Sequence, residues 1–319
     1  MKAVNNKLKI AVLAGGIGSE REISIQSGSQ VTSALKQAGV NAVLADITPE
    51  DTSILEDDSI DVFFVAMHGE FGEDGRLQQI LEEKNVIYTG SRPDSCRLAF
   101  DKMASKKVFK EKGIKTPAAI EFDQNTDAKQ LENELKKFGN KFVIKPIKEG
   151  SSVGVSITDS IGDAIKSAQN CLAEFGDCMI EQFIRGREVT VGVVCDIVLP
   201  IIEIRPERDF FNFDAKYIDD KTGFLFDTIT DMQLAANIQK AAVDCFNVLG
   251  CRHFARVDFI VDDRDEFYAL ELNTIPGMTS HSLVPKAAEK IGLSLADVCL
   301  KIIESAINET EILNLKTKA

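Results

Sequence analysis

The chain has 319 residues, 44% hydrophobic and 27% charged, with a net charge of −13, the composition of an ordinary soluble globular protein with room for one to three domains. The acidic balance argues against a nucleic-acid binder, which needs a basic face to displace counterions, though it leaves room for a local basic pocket. Seven scattered cysteines (Cys96, Cys171, Cys178, Cys195, Cys245, Cys251, Cys299) with no CxxC pair give neither a disulfide framework nor a zinc site and fit a reducing cytoplasm. No apolar run approaches the roughly 18–20 residues of a membrane span.

Lys2, Lys7 and Lys9 precede a short apolar run. It is too brief for a signal peptide and reads as a first strand, residues 8–14. A glycine run at 15–18 follows, then a helix from about Ser24 to Gly39 with Val31, Leu35 and Ala38 on one face. Residues 41–46, 61–67 and 86–88 read as further strands. Strands alternating with helices predict an open parallel sheet with functional loops at the strand ends, such as the glycine-rich acidic loop 68–75. The glycine run is no dinucleotide fingerprint, because Arg21 stands where the last glycine is required.

A helix over 101–112 ends at Gly113, and Thr116-Pro117 marks a candidate domain boundary. A charged helix near 127–137, a strand 141–146, a Gly/Ser loop, a helix 161–175 and a strand 178–181 make a compact α+β unit. Beyond 185–188 the chain returns to sheet, a long loop (205–230), a helix 231–249, a hairpin and a last helix.

Several stretches carry chemistry. Gly150-Ser151-Ser152-Val153-Gly154 has the flexibility and donors of a phosphate cradle without being a Walker A loop; taken alone it is also a plain hairpin turn. Lys145, at the end of an apolar strand, would need an anion if buried, and Lys102 is a candidate second cation. Glu181, ending another apolar strand, would accept from an exocyclic amine, and Glu188 would take ribose hydroxyls. The loop 205–230 bears Lys216 and Tyr217 and is long enough to be a lid.

Residues 256–273 read as a β-hairpin. Val257, Phe259 and Val261 match Tyr268, Leu270 and Leu272 as one core face. That register sets Asp258 opposite Glu271 and Arg256 opposite Asn273, so that two carboxylates and an amide converge and ask for a hard cation such as Mg²⁺. A solvated outer face is the plainer reading of such a hairpin; the segment 274–282 that follows favours the metal site. Gly277 offers an unobstructed N–H which, with Arg256, would stabilise an oxyanion.

The segments 18–24, 68–75, 145–154, 256–258 and 271–283, in this order and spacing, resemble the D-alanine–D-alanine ligase family of ATP-grasp carboxylate–amine ligases, from about residue 8 to 305. The resemblance implies an α/β (α+β multidomain) fold. An N-terminal open parallel sheet domain (1–100) precedes a two-domain ATP-grasp fold (101–184 and 185–319).

It implies that Lys102, Lys145, Ser151 and Ser152 hold ATP phosphates, with Glu181 at the adenine and Glu188 at the ribose. Asp258, Glu271 and Asn273 bind two Mg²⁺ (Mn²⁺ as an alternative), Glu271 bridging. Glu20 holds the ammonium of the first D-alanine, with His68 lining that subsite, and Ser282 and Leu283 hold the carboxylate of the second. Arg256 and Gly277 form the oxyanion hole. Lys216 reaches the transferring phosphate, and Tyr217 closes the lid through Ser151 and Glu20.

The implied product is D-alanyl-D-alanine for peptidoglycan precursors, made through an acyl phosphate by a cytoplasmic homodimer. Phe211 and Phe213 stand where relatives often have tyrosine, and residues 224–230 lack an expected proline; both bear on lid packing. Lys216-Tyr217 favours D-alanine over D-lactate as acceptor. Two rivals remain: an ATP-grasp ligase with another acceptor, such as D-serine or D-lactate, and a non-catalytic nucleotide binder.

Overall fold

The computed structural model describes residues 8–205 and 223–316. Strands β1 (Lys9–Gly15), β2 (Asn41–Ile47) and β3 (Val62–Val65) form a parallel sheet in the order β2-β1-β3, with helix α1 (Arg21–Gln37) crossing between the first two. Helices α2 (Arg76–Glu83), α3 (Pro93–Phe100) and α4 (Lys102–Glu111) lead out of it.

The second sheet is antiparallel: β4 (Ala119–Phe122), β5 (Phe142–Pro146), β6 (Ser156–Thr158) and β7 (Cys178–Gln182), in the order β4-β7-β5-β6. Helices α5 (Ala128–Leu135) and α6 (Ile161–Phe175) cover one face.

The third sheet, also antiparallel, runs β11 (Gly223–Phe226), β10 (Ile202–Arg205), β8 (Gly186–Val194), β12 (Phe254–Asp262), β13 (Phe267–Asn273), with β9 (Ile197–Val198) beside β8. Helix α7 (Met232–Val248) packs on it, and α8 (Leu283–Lys290) and α9 (Leu295–Lys316) end the described chain.

The third sheet shows why strand periodicity positions the chemistry. Val189, Val191, Val257 and Phe259 point to the core with Ile238 and Ala242 of α7, so their neighbours must point the other way. Registered pairing then stacks those neighbours in rows across three strands: Glu188 beside Ile260, Thr190 beside Asp258 beside Glu271, Gly192 beside Arg256 beside Asn273. A separate core joins the ends of the chain. Ile10, Leu13 and Val62 of the first sheet belong to the same apolar cluster as Val284 of α8 and Val298 and Ile302 of α9.

Four expectations need correction. The hairpin register holds from Arg256 to Asp258, but a β-bulge follows, pairing Phe259 with Ala269 and Val261 with Phe267. The extra residue, Leu270, flips the strand: Phe267, Ala269 and Leu272 face the core, and Tyr268 and Leu270 do not. Helix α1 begins at Arg21 rather than near Ser24, because Ser24 does not cap it; the Ser24 hydroxyl donates to the Glu20 carbonyl and accepts from the His68 N–H. Residues 86–88 make only a bridge, Tyr88 to Phe63. The last helix is two, broken at Gly292 in the left-handed region (φ 81°).

A charged latch ties α9 to the rest. The Glu309 carboxylate pairs with Arg92 (3.0 Å) and Arg252 (3.2 Å) and meets His253 Nε2 at 3.1 Å, while His253 Nδ1 accepts from the Gly90 N–H. A ring whose Nδ1 accepts carries its proton on Nε2, so His253 donates to Glu309 as a neutral imidazole. That hydrogen bond and the Arg252 charge outweigh partial burial and hold the Glu309 carboxyl down to about 2, while burial lowers His253.

Candidate active site

Two cavities meet at one wall. The larger, about 720 Å³, lies between the second and third sheets. On β5, Phe142 and Ile144 go to the core, so Val143 and Lys145 face the cavity. Val143 pairs across the sheet with Glu181 of β7, and the Lys145 ammonium reaches the Glu181 carboxylate at 2.9 Å. Ile157, Ile260 and Leu270 add apolar walls; the bulge is what turns Leu270 toward them. Apolar walls with a buried carboxylate held by Lys145, and Lys102 where the two cavities meet, suit a nucleotide.

Burial alone would push the Glu181 carboxyl up, but the ammonium groups of Lys106 and Lys145 hold it below its ordinary range. Lys145, despite burial, is raised by Glu181 and Glu271. Lys102 opens α4, where Asp101 caps the helix through the Ala104 N–H. Its ammonium donates to the Glu149 carbonyl and lies 3.5 Å from Glu271. Ser151 and Ser152 both adopt left-handed backbone (φ 51° and 59°), a conformation that costs serine about 1–3 kcal/mol and clusters at functional sites.

The smaller cavity holds Glu20, Ser151, Arg256, Gly277, Ser282 and Leu283. Lys102, Glu149, Gly150, Asp258 and Glu271 line both cavities. Glu20, at the N-terminus of α1, accepts a hydrogen bond from Ser151 Oγ. Its carboxylate occupies the space that side chains would take at Gly69 and Gly150: a Cβ there would lie 2.5 and 2.6 Å from Glu20 Oε2. A Cβ on Gly277 would likewise meet Ser282 Oγ at 2.6 Å. Ser282 precedes α8, whose Leu283 and Val284 N–H groups open the helix without intrahelical acceptors.

Asp258 is held by a bidentate contact from Arg256 (2.9 and 2.8 Å) and by the hydroxyl of Thr190. Asn273 Oδ1 accepts from the Ile275 N–H at 3.0 Å.

His68 stands behind the smaller cavity rather than in its wall. Its Nδ1–H donates to the Ile275 carbonyl (2.8 Å), and Nε2 accepts from Ser27 Oγ (2.9 Å). Burial lowers its pKa, consistent with a neutral ring. Glu73 braces the same turn, accepting from the Gly69 and Ile275 N–H groups; burial and the Glu20 charge push its carboxyl up to about 8. Lys216 and Tyr217 lie outside the described residues.

Sequence reasoning missed Glu73, Lys106 and Thr190, and also Gln30, which accepts from the Ser280 N–H at 2.8 Å. Spacing offered a signal for two of them. Thr190 is two residues from Glu188 on one strand face, and Lys106 is four from Lys102 on one helix.

Residues 108–304 match the family model for the D-ala D-ala ligase C-terminus, and residues 50–91 match that for the N-terminus. The chain belongs to the D-alanine–D-alanine ligase family. A D-alanine–D-alanine ligase of Bordetella avium is 39% identical to it over 303 residues, covering 93% of this chain and 94% of the relative. Among solved structures, the D-alanine–D-alanine ligase of Bacillus anthracis complexed with ATP superposes with a TM-score of 0.82 at 31% identity, covering 96% of this chain and 99% of the other. The VanG D-Ala:D-Ser ligase of Enterococcus faecalis reaches the same TM-score at 27% identity, over 94% of this chain and 99% of that one. The D-alanine–D-alanine ligase fold therefore carries more than one acceptor.

Proposed function

We propose that the protein ligates two D-alanines at the expense of ATP, giving D-alanyl-D-alanine, ADP and phosphate for peptidoglycan precursor synthesis. One observation carries this reading: the nucleotide-sized cavity and the smaller one share the wall of Lys102, Asp258 and Glu271. A terminal phosphate held there meets a carboxylate entering from the Glu20 side.

In the first step a carboxylate oxygen of D-alanine attacks the γ-phosphorus and the bond to the bridging oxygen of ADP breaks. In the second, the amine of the other D-alanine attacks the acyl carbon and phosphate leaves. Lys102, Lys145 and the Ser151-Ser152 loop hold phosphates, Glu181 faces the adenine and Glu188 the ribose. Glu20 takes the first ammonium, with His68 fixing the turn beside it. Ser282 and Leu283 take the second carboxylate. Arg256 and the Gly277 N–H stabilise the oxyanion. Lys216 and Tyr217 belong to the lid that keeps water from the acyl phosphate.

Asp258, Glu271 and Asn273 present oxygen donors only, with two carboxylates facing each other, which fits Mg²⁺. These three residues would hold the two Mg²⁺, or Mn²⁺, which would neutralise phosphate charge.

We take the domains as 1–100, 101–184 and 185–319, and the enzyme as a cytoplasmic homodimer. In support, no helix among the described residues is long and apolar enough to cross a membrane, and the seven cysteines are free thiols. Sedimentation tests the dimer.

The deciding experiment is ADP release with ATP and Mg²⁺ against D-alanine, L-alanine, D-serine, and D-alanine plus D-lactate. D-alanine alone should release ADP, phosphate and dipeptide in equal amounts. Release requiring another acceptor moves the specificity, a reading the VanG likeness keeps in view. ATP binding without any release leaves the non-catalytic reading.

A further inference from the structure

Lys106 is a buried lysine to which the two steps above give no task. It is 1% exposed, and a lysine is almost never fully buried unless paired. Its ammonium donates to Thr116 Oγ1 (2.6 Å) and the Pro117 carbonyl (3.2 Å) and lies against Glu181 Oε1 as an ion pair. Lys145 takes the other carboxylate oxygen from the cavity side. Glu181 therefore stands between two cations, one lining the nucleotide cavity and one behind its wall.

We propose that Lys106 is a positioning residue which holds Glu181 as a hydrogen-bond acceptor and thereby selects an adenine-type base over a 6-oxopurine. The proposal rests on the reading of Glu181 as the residue facing the base.

Lys145 has two anions to serve, Glu181 and a nucleotide phosphate. A buried carboxylate whose only counter-charge is drawn toward a phosphate becomes the neutral acid, since burial disfavours its charged form. An ionised carboxylate only accepts; a protonated one also donates. The amine at position 6 of adenine donates and N1 accepts, whereas a 6-oxopurine reverses both. The charge state of Glu181 thus decides which base edge it fits, and Lys106 maintains that state whatever Lys145 does. Oε1 is sealed from solvent and meets Lys106 behind the wall, so the acceptor offered to a base is Oε2, on the cavity side with Lys145. Burial works against the Lys106 charge, lowering its pKa to about 8, while Glu181 supports it. The two groups keep each other ionised.

The test uses the full-length enzyme with saturating D-alanine and Mg²⁺, comparing ATP with inosine triphosphate. Lys106→Gln keeps hydrogen-bonding reach and removes the charge. It should raise KM for ATP about tenfold with kcat little changed, and lower the ATP-to-ITP ratio of kcat/KM by about tenfold or more. Lys106→Arg should keep most of that ratio. Thr116→Val, which removes only a structural tether, should lower the melting temperature and leave the ratio intact.

A Lys106→Gln enzyme that loses activity equally with both nucleotides, while Glu181→Gln changes the ratio, overturns the proposal and leaves Glu181 at the base. An unchanged ratio in Glu181→Gln overturns the placement of Glu181 itself. Should Lys106→Gln fail to fold, Lys106→Arg decides: a ratio that collapses although the charge is kept refutes the role.

Discussion

Arg256 and Asp258 show how much one side-chain pair can hold. Arg256 grips both oxygens of Asp258, and the Thr190 hydroxyl takes a third contact, so the guanidinium proposed for the oxyanion also orients a proposed metal ligand. Arg256→Ala should lower kcat by about 10²–10³ while nucleotide binding, read by a fluorescent ATP analogue, persists. Thr190→Val keeps the shape of the side chain and removes its hydroxyl. The Mg²⁺ concentration for half-maximal rate should rise about 10-fold or more, with KM for D-alanine little changed. An unaltered Mg²⁺ titration would mean that Asp258 needs no such support. At this scale strand alternation made the pairing of Asp258 with Glu271 and of Arg256 with Asn273 readable. The sequence was opaque where the role comes from a partner distant along it. The i,i+4 spacing from Lys102 marks Lys106, but Lys110 continues the same row, and nothing local says which of the two is buried.

Among elements, the hairpin of β12 and β13 was legible up to the point where its alternation stops being unique. Tyr268, Leu270 and Leu272 form one apolar set and Phe267 and Ala269 another, so composition cannot say where a strand gains a residue. Packing decided it: the bulge after Asp258 sends Ala269 and Phe267 to the core, where Phe267 meets Phe259 edge-on at 6.1 Å. The break between α8 and α9 escaped for a similar reason, since one glycine in a helical pattern is tolerated as often as it ends a helix.

The latch on α9 yields a pH prediction. Glu309 is held below its ordinary value of 4.5, down to about 2. Its stabilising contribution is therefore complete above the unfolded pKa and is lost as pH falls from about 4.5 toward 2. His253, lowered in the fold, adds a loss of the same sign as pH falls below the ordinary histidine range. Melting temperatures taken from pH 7 to 3 should fall more steeply for the parent enzyme than for Glu309→Gln. Parallel curves would remove the latch from the acid response.

For the molecule as a whole, the reading from motifs was good where one continuous stretch of chain builds one sheet, as it does for each of the three. It was poor where the ends meet. The first sheet shares its core with α8 and α9, which no local pattern announces, because an amphipathic last helix can pack anywhere. Ile302, fully buried in that cluster, should be worth about 2–5 kcal/mol on truncation to alanine. Denaturant unfolding should show that loss although the residue touches neither cavity.

This shared core also sets a schedule for the newborn chain. Residues 9–65 complete the first sheet early in synthesis, but the helices that join its core are made only after the second and third sheets. At about 5–20 residues per second, the sheet waits on the order of ten seconds or longer with part of its apolar surface uncovered. During that interval it is a client for whatever binds nascent apolar surface. The core of the first sheet closes only after the ribosome has delivered α9.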